Sequence, residues 1–143
     1  MTEPRQAAGR CFCGAIRFAV DLPVKWVAHC HCDICRQIHG AGVTTWVGSE
    51  SGRFHLLAGE AQLVWYASSE AGKRGRCGTC GTHLFFQSPR WPGEMHVTRT
   101  SFRDPVGKSP GGHAFHDRHV DWLQLADGLP RFGGPTGTEP LDS

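Results

Sequence analysis

The stretch HCHCDIC, residues 29–35, places three cysteines and two histidines within seven positions. A structural zinc site usually takes four protein ligands, whereas a catalytic zinc site takes three and keeps one position open. Cys30, Cys32 and Cys35 can face one metal ion from a single turn of chain. The identity of the fourth ligand therefore decides whether this segment is structural or chemically active.

The other four cysteines form two pairs, Cys11 with Cys13 and Cys77 with Cys80, and a glycine directly follows each pair. Glycine lets the backbone turn tightly, so that N–H groups can point at thiolate sulfur. Four sulfurs from two distant pairs complete a tetrahedral zinc site. We therefore predict two zinc ions per chain, a structural ion at these pairs and a second ion at residues 29–35.

The pattern leaves two alternatives open. In the first, a histidine closes the middle site as a fourth ligand; His29, His31 and His39 are the candidates, and His39 is the best spaced. In the second, Cys11 and Cys13 combine with two of the middle cysteines. That partition would leave Cys77 and Cys80 without a metal.

A site with three thiolates is a weak activator of water, because sulfur donates charge to the metal. The open position suits a soft ligand, since an external thiol would bind as thiolate with a lowered pKa. The middle site is therefore better matched to a thiol substrate than to water.

Composition excludes several functional classes. The net charge is only +2 and the basic residues form no run, so we expect no nucleic-acid partner. Residues 1–10 lack the apolar region of a signal peptide, and no apolar stretch approaches the roughly 20 residues of a membrane span. We expect a cytoplasmic protein, and an odd number of cysteines in a reducing compartment favours metal over disulfides.

The hydrophobic pattern predicts a mainly β protein with few or no long helices. Short apolar or alternating segments separated by Gly and Pro predict strands within residues 14–23, 24–30, 42–49, 53–59, 60–68, 82–88 and 93–101. A Gly-containing loop at 58–60 suggests that two of them, within residues 56–66, form a hairpin. The best helix candidate is a turn or two within residues 32–40, ended by Gly40. We expect one domain over residues 9–132, with flexible segments at 1–8 and 133–143.

Four segments together resemble the glutathione-dependent formaldehyde-activating enzyme family, also called the centromere protein V-like family. The segments are GRCFCGAIRFAV, HCHCDICRQIHGA, RGRCGTCGTHLFF and HAFHDRHVDWLQLADGLPRF, at residues 9–20, 29–41, 74–86 and 113–132. The resemblance covers roughly residues 9–132, and the succession of C-x-C, C-x-C-x2-C and C-x2-C-G-T is highly specific.

The resemblance implies a β-tent fold with two zinc ions. Within it, Cys11, Cys13, Cys77 and Cys80 would hold the structural zinc, and Cys30, Cys32 and Cys35 the catalytic one. The implied activity is the condensation of glutathione with formaldehyde to S-(hydroxymethyl)glutathione, catalysed by an enzyme of the carbon–sulfur lyase class. The partners would be a small thiol and a small aldehyde. The alternative function is a non-catalytic, zinc-stabilised protein-binding module.

Other residues are weaker candidates. Arg36 could pair with a substrate carboxylate, and Trp46 could line a pocket beside the cysteine cluster. Arg74 and Arg76 are less well placed for the same role. We expect His113, His116 and His119 to lie at the surface or behind the metal ligands rather than to form a third metal site.

Overall fold

The computed structural model describes residues 5–141 and confirms a mainly β fold. The described chain divides into two compact units, which we call the first and second units. The first unit consists of residues 5–26 and 47–108, and the second consists of residues 27–46 and 109–141. Each unit is therefore assembled from two separate segments of sequence.

The secondary structure consists of twelve short strands, one α-helix and a few single-turn 3-10 segments within residues 5–141. The strands are β1 Gln6–Arg10, β2 Arg17–Asp21, β3 Trp26–Cys30, β4 Thr44–Glu50, β5 Phe54–Ala58, β6 Leu63–Ala67, β7 Lys73–Cys77, β8 His83–Gln87, β9 Glu94–Thr98, β10 His113–Ala114, β11 Phe132–Gly133 and β12 Glu139–Pro140. The helix α1 is Asp33–His39. No helix in the described part of the chain is long and apolar enough to cross a membrane.

The first unit contains two groups of antiparallel strands. One is a three-stranded sheet in the order β1-β2-β5, and the other runs β9-β8-β7-β6. The predicted hairpin within residues 56–66 is therefore wrong, because β5 pairs with β2 and β6 pairs with β7. Between β5 and β6, Gly59 adopts a positive φ of 89° and leads into a 3-10 turn, which sends the two strands to different sheets.

An aromatic cluster forms the core of the first unit. The ring of Phe18 on β2 is fully buried and packs against Phe54, Phe85 and Phe102, with ring centroids 5.1–5.9 Å apart. Gly9 on the adjacent strand makes room for it, since a Cβ there would lie 2.3 Å from the Phe18 ring. The alternating pattern of β2 predicted this inward face correctly.

Two strands of the first unit were not predicted. The sequence of β7, KRGRC, is too charged to read as a strand, yet it pairs on both sides, with β6 and with β8. The aliphatic part of Arg74 is buried, and its guanidinium lies 4.7 Å from the centre of the Phe86 ring. The other missed strand, β1, is short and half polar, and its buried positions are only alanines.

In the second unit, α1 directly continues the chain from β3. Cys32 is its N-cap, and the thiol sulfur of Cys32 accepts a hydrogen bond from the backbone N–H of Cys35 at 3.3 Å. Gly40 ends the helix in the left-handed conformation, with a φ of 61°, and its N–H donates to the carbonyl of Arg36. The predicted helix and its stop at Gly40 are confirmed.

The second unit also contains a parallel strand pair that joins distant parts of the sequence. β10 pairs with β3, so that His113 lies beside His29 and Ala114 beside Cys30. Backbone hydrogen bonds from His29 to Gly112 and from His31 to Ala114, both 3.0 Å, complete the ladder. The segment that contains β10 thereby covers the strand that leads into the cysteine cluster.

The predicted domain limits, 9–132, stay a prediction. Strand β1 begins at Gln6, before the expected start, and β12 lies within the expected tail at 133–143. The parts of that expectation concerning residues 1–4 and 142–143 lie outside the described residues.

A buried His96–Glu94 pair in the first unit, with Lys25 at its exposed end, makes the stability of the unit depend on pH. His96 Nε2 donates to Glu94 Oε1 at 2.8 Å, and Lys25 Nζ lies 2.6 Å from Glu94 Oε2. Burial lowers the pKa of His96 below its ordinary 6.5. Burial alone would raise the pKa of Glu94, but the bonds from Lys25 and His96 lower it overall.

We expect His96→Gln to reduce the acid sensitivity of the fold. Because the pKa of His96 is lowered in the folded state, the unfolded chain takes up this proton first. The stabilisation is thus complete above about pH 6.5 and is lost as the pH falls below it. Urea unfolding at pH 7.5 and pH 5.5 should show a smaller difference for the variant than for the parent. His55→Gln, which changes an exposed histidine of the same unit, is the control; an unchanged pH difference in His96→Gln would contradict the prediction.

Candidate metal centres

Four cysteine sulfurs of the first unit converge. Cys11 and Cys13 lie between β1 and β2, Cys77 ends β7, and Cys80 lies in the turn before β8. All four sulfurs lie within 4.8 Å of one another. The Cys11–Cys13 and Cys13–Cys77 sulfur separations are 3.7 and 3.8 Å.

These separations fit a tetrahedral zinc ion. Zinc–sulfur bonds of about 2.3 Å at tetrahedral angles place neighbouring sulfurs about 3.8 Å apart. A disulfide would need about 2.05 Å. The donor set and its spacing therefore suit zinc in a closed, four-sulfur site, as the two cysteine pairs predicted.

Hydrogen-bond donors around the four sulfurs favour negative charge there. The backbone N–H of Ile16 donates to Cys11 Sγ at 3.2 Å, and that of Cys80 donates to Cys77 Sγ at 3.4 Å. The hydroxyl of Thr82, 3.1 Å from Cys80 Sγ, is the main cause that lowers the pKa of Cys80 to about 5. Cys13 differs: the backbone N–H of Ala15 opposes the change, but burial and the neighbouring thiols raise the pKa of Cys13 to about 11. The Cys80 side of the group thus favours thiolate, and a bound cation would favour it at all four sulfurs.

Three further cysteines converge in the second unit. Cys30 ends β3, Cys32 caps α1 and Cys35 lies in the first turn of the helix, and their sulfurs lie within 4.8 Å of one another. Cys30 and Cys35 are buried and Cys32 is half-buried. Hydrogen bonding with the thiols of Cys32 and Cys35, followed by burial, raises the pKa of Cys30 well above its ordinary 9.0. The three sulfurs thus offer one face of soft donors to a single ion, and loading it would release thiol protons.

Among residues 5–141, no histidine or carboxylate joins this three-sulfur group within the same 4.8 Å limit. Two of the candidate fourth ligands bond elsewhere, since His29 Nδ1 lies 2.8 Å from Thr45 Oγ1 and His31 Nε2 lies 2.8 Å from His113 Nδ1. The third, His39, packs edge-on against the ring of Trp46, 5.3 Å between centroids.

Arg36 and Trp46, the two residues predicted to contact a substrate, both have partners within the protein. The guanidinium of Arg36 pairs with the carboxylate of Asp33, and its Nε donates to the carbonyl of His31 at 3.0 Å. Trp46 is buried, with 5% of its surface exposed, and contacts His39. Neither side chain is presented freely to solvent.

Arg74 and Arg76 belong to β7 of the first unit and not to the unit of the three-cysteine cluster. The Nε of Arg74 donates to Ser68 Oγ at 3.1 Å, in addition to the stacking on Phe86. These contacts give Arg74 a structural role.

A chain of side chains behind the three-cysteine cluster was missed by sequence reasoning. Asp127 Oδ2 accepts from His113 Nε2 at 2.9 Å, and His113 Nδ1 lies 2.8 Å from His31 Nε2. If His113 donates to the Asp127 carboxylate from Nε2–H, its Nδ1 carries no proton and can only accept. His31 must then donate to His113 Nδ1 from its own Nε2–H. The remaining ring nitrogen, His31 Nδ1, is buried and has no hydrogen-bond partner among residues 5–141. Burial, followed by the neighbouring imidazoles, lowers the pKa of His31 to about 4.

The sequence contained one signal for this histidine–aspartate chain, namely the density of histidines in HAFHDRH. His113 is 1% exposed, whereas we expected it at the surface or behind the ligands. The second of these alternatives agrees with its position beside His31. Asp127 could not be singled out, because nothing in the sequence relates it to His113, which lies fourteen positions earlier in a loop-rich segment.

Comparisons with known proteins agree with the cysteine pattern. The sequence profile of the glutathione-dependent formaldehyde-activating enzyme family matches residues 6–118. A provisionally named glutathione-dependent formaldehyde-activating enzyme of Halomonas elongata is 26% identical over 124 residues, which is 82% of this chain and 79% of that protein. A crystal structure of a Rhodobacter sphaeroides protein, 24% identical, superposes with a TM-score of 0.60 over 72% of this chain and 97% of that one. The last comparison establishes the likeness of fold.

We expect two zinc ions per chain in protein purified without chelators, because four and three sulfurs form two separate groups. Replacing Cys30, Cys32 and Cys35 together by serine should lower the metal content to one. Elemental analysis by mass spectrometry measures both values. A content near one that does not change in the triple variant would contradict a second site.

We expect Cys77→Ser to destabilise the protein by more than about 4 kcal/mol, since it opens a closed site that joins segments 64 residues apart. Cys32→Ser is the matched comparison, because serine keeps an N-cap acceptor for α1 while removing a metal ligand. Thermal unfolding should show a much smaller loss for Cys32→Ser. Equal losses in the two variants would mean that both sites are structural.

Proposed function

Because the chain belongs to the glutathione-dependent formaldehyde-activating enzyme family, we propose that it joins a small thiol to a small aldehyde as a zinc-dependent enzyme. The thiol would be glutathione or a close relative, and the aldehyde formaldehyde. The reverse reaction cleaves a carbon–sulfur bond, which places the enzyme in the carbon–sulfur lyase class.

The proposed reaction balances without an oxidant or a reductant. The thiolate sulfur attacks the aldehyde carbon, a carbon–sulfur bond forms and the π bond of the carbonyl breaks. The proton lost by the thiol ends on the former carbonyl oxygen, and the product is a hemithioacetal. Aldehydes are reactive electrophiles, so the main requirements are deprotonation of the thiol and positioning.

Under this proposal, Cys30, Cys32 and Cys35 hold a catalytic zinc, and Cys11, Cys13, Cys77 and Cys80 hold a structural one. Bound zinc would lower the pKa of an incoming thiol and hold it as thiolate. Trp46 contacts His39, the last residue of α1, and would form an apolar wall beside the three-cysteine cluster. Arg36 would reach a substrate carboxylate only after releasing Asp33.

The observation that carries the proposal is the difference between the two cysteine groups. The first group has four sulfurs and the second has three, and no histidine or carboxylate of the described residues joins the second group within the same 4.8 Å limit. A three-ligand site keeps a position for an exchangeable ligand. The cytoplasm, the compartment predicted from the N-terminal sequence and the lack of an apolar span, would also keep the thiols and a thiol substrate reduced.

We expect glutathione to enter the three-cysteine site as a fourth sulfur. In cobalt-substituted protein, glutathione should strengthen the sulfur-to-metal bands in the visible spectrum and release a proton. Titration with glutathione, followed by spectrum and by pH, measures both effects. Cys32→Ser, loaded in the same way, is the control and should show no thiol-dependent change.

A spectrum that does not respond to glutathione or to other small thiols would mean that the fourth position is closed. That result would contradict the enzymatic proposal and leave the alternative, a zinc-stabilised binding module. The first unit has three large, exposed apolar side chains, Phe12, Tyr66 and Leu57. These positions would then be the first to test for contact with a protein partner.

A further inference from the structure

The second unit contains a cavity of about 310 Å³ that no predicted residue role explains. Its polar lining consists of His31, His116, His119, Gln124 and Arg131, with Asp121 as the one carboxylate. Its apolar lining includes Leu123 and Leu125. The volume is at the lower end of the range for small-molecule sites, and the mixed lining is typical of them.

The polar part of this cavity suits an anion. Arg131 is exposed, and its guanidinium has no ion pair or hydrogen bond with any side chain of residues 5–141. His119 Nδ1 donates to the carbonyl of His116 at 2.6 Å, which leaves His119 Nε2 for another partner. The His116 and His119 rings stack 4.3 Å apart, so both imidazoles lie close together on one side of the cavity.

The apolar part of the cavity indicates which class of anion fits it. Leu123 and Leu125 are both half-buried and offer hydrocarbon surface within the same cavity. An inorganic ion would leave that surface unused. A guanidinium pairs with a carboxylate through two parallel hydrogen bonds. The combination therefore favours an organic carboxylate with a short carbon chain.

Two contacts connect this cavity with the three-cysteine site. His31, which lines the cavity, stands in the chain between Cys30 and Cys32. Arg118 Nη1 lies 3.2 Å from Oδ2 of Asp33, the residue after Cys32, and so ties the His116–Arg118 turn to the start of α1. The cavity and the three-sulfur group are thus both built on the segment 30–33.

We propose that the cavity beside Arg131, His116 and His119 binds a carboxylate of the thiol substrate. The inference rests on the proposed function, since it concerns the same reaction. It assigns carboxylate recognition to Arg131, whose guanidinium is available, rather than to Arg36, which is already paired with Asp33. Thiols with a carboxylate would then be preferred over thiols without one.

S-methylglutathione tests this site separately from the metal, because its sulfur is blocked and cannot bind as thiolate. Calorimetry with the zinc-loaded full chain should detect its binding, and the variant Arg131→Gln should weaken it about tenfold. Arg131→Lys should fall between the two. Arg90→Gln, which changes an exposed arginine of the first unit, is the control and should bind like the parent. Esterifying both carboxylates of the probe should abolish the difference between the parent and Arg131→Gln.

The outcomes separate this inference from the proposed function. No binding of S-methylglutathione, or equal binding by the parent and Arg131→Gln, would overturn the carboxylate site. A glutathione-dependent change in the cobalt spectrum could still be present in that case, and the proposed reaction would stand. Equal weakening of the esterified probe by Arg131→Gln would show a general disturbance of the cavity and would also overturn the inference. Thermal unfolding of each variant verifies that the fold is intact.

Discussion

The convergence of Cys11 and Cys13 with Cys77 and Cys80 is the constraint on which the first unit depends. Four sulfurs within 4.8 Å of one another would repel as thiolates unless a cation compensated them. A cation bound there would also join the turn between β1 and β2 to the end of β7. β7 is a charged strand that offers little apolar surface of its own, so a metal bound at its end would replace part of the missing hydrophobic stabilisation.

Much of this arrangement could be predicted from the sequence, because cysteine spacing is local information. The grouping into four and three sulfurs, the short helix and most strands followed from spacing, alternation and glycine positions. The pairing partners of β5 and β6 could not be predicted, because the sequence of a short apolar strand does not indicate which sheet it joins. The histidine–aspartate chain was hidden for a similar reason: it exists only because β10, two residues long, pairs with a strand more than eighty positions earlier.

Strand β3 serves two sites at once. The sulfur of Cys30, its last residue, belongs to the three-sulfur group, whereas His29 and His31 on either side of Cys30 bond to Thr45 and His113. His113 in turn bonds to Asp127. These contacts fix the backbone of the segment that carries Cys30 and Cys32.

The parallel pairing of β3 with β10 also sets an order of events during synthesis. At about 5–20 residues per second, the ribosome makes β3 several seconds before β10 exists. The three cysteines at residues 30–35 need no distant partner, so they can capture a metal ion in that interval. The four-cysteine site must wait for Cys80. The nascent chain would therefore offer its three-cysteine group to a metal first and its four-cysteine group second, and His113 would pair beside β3 only after that.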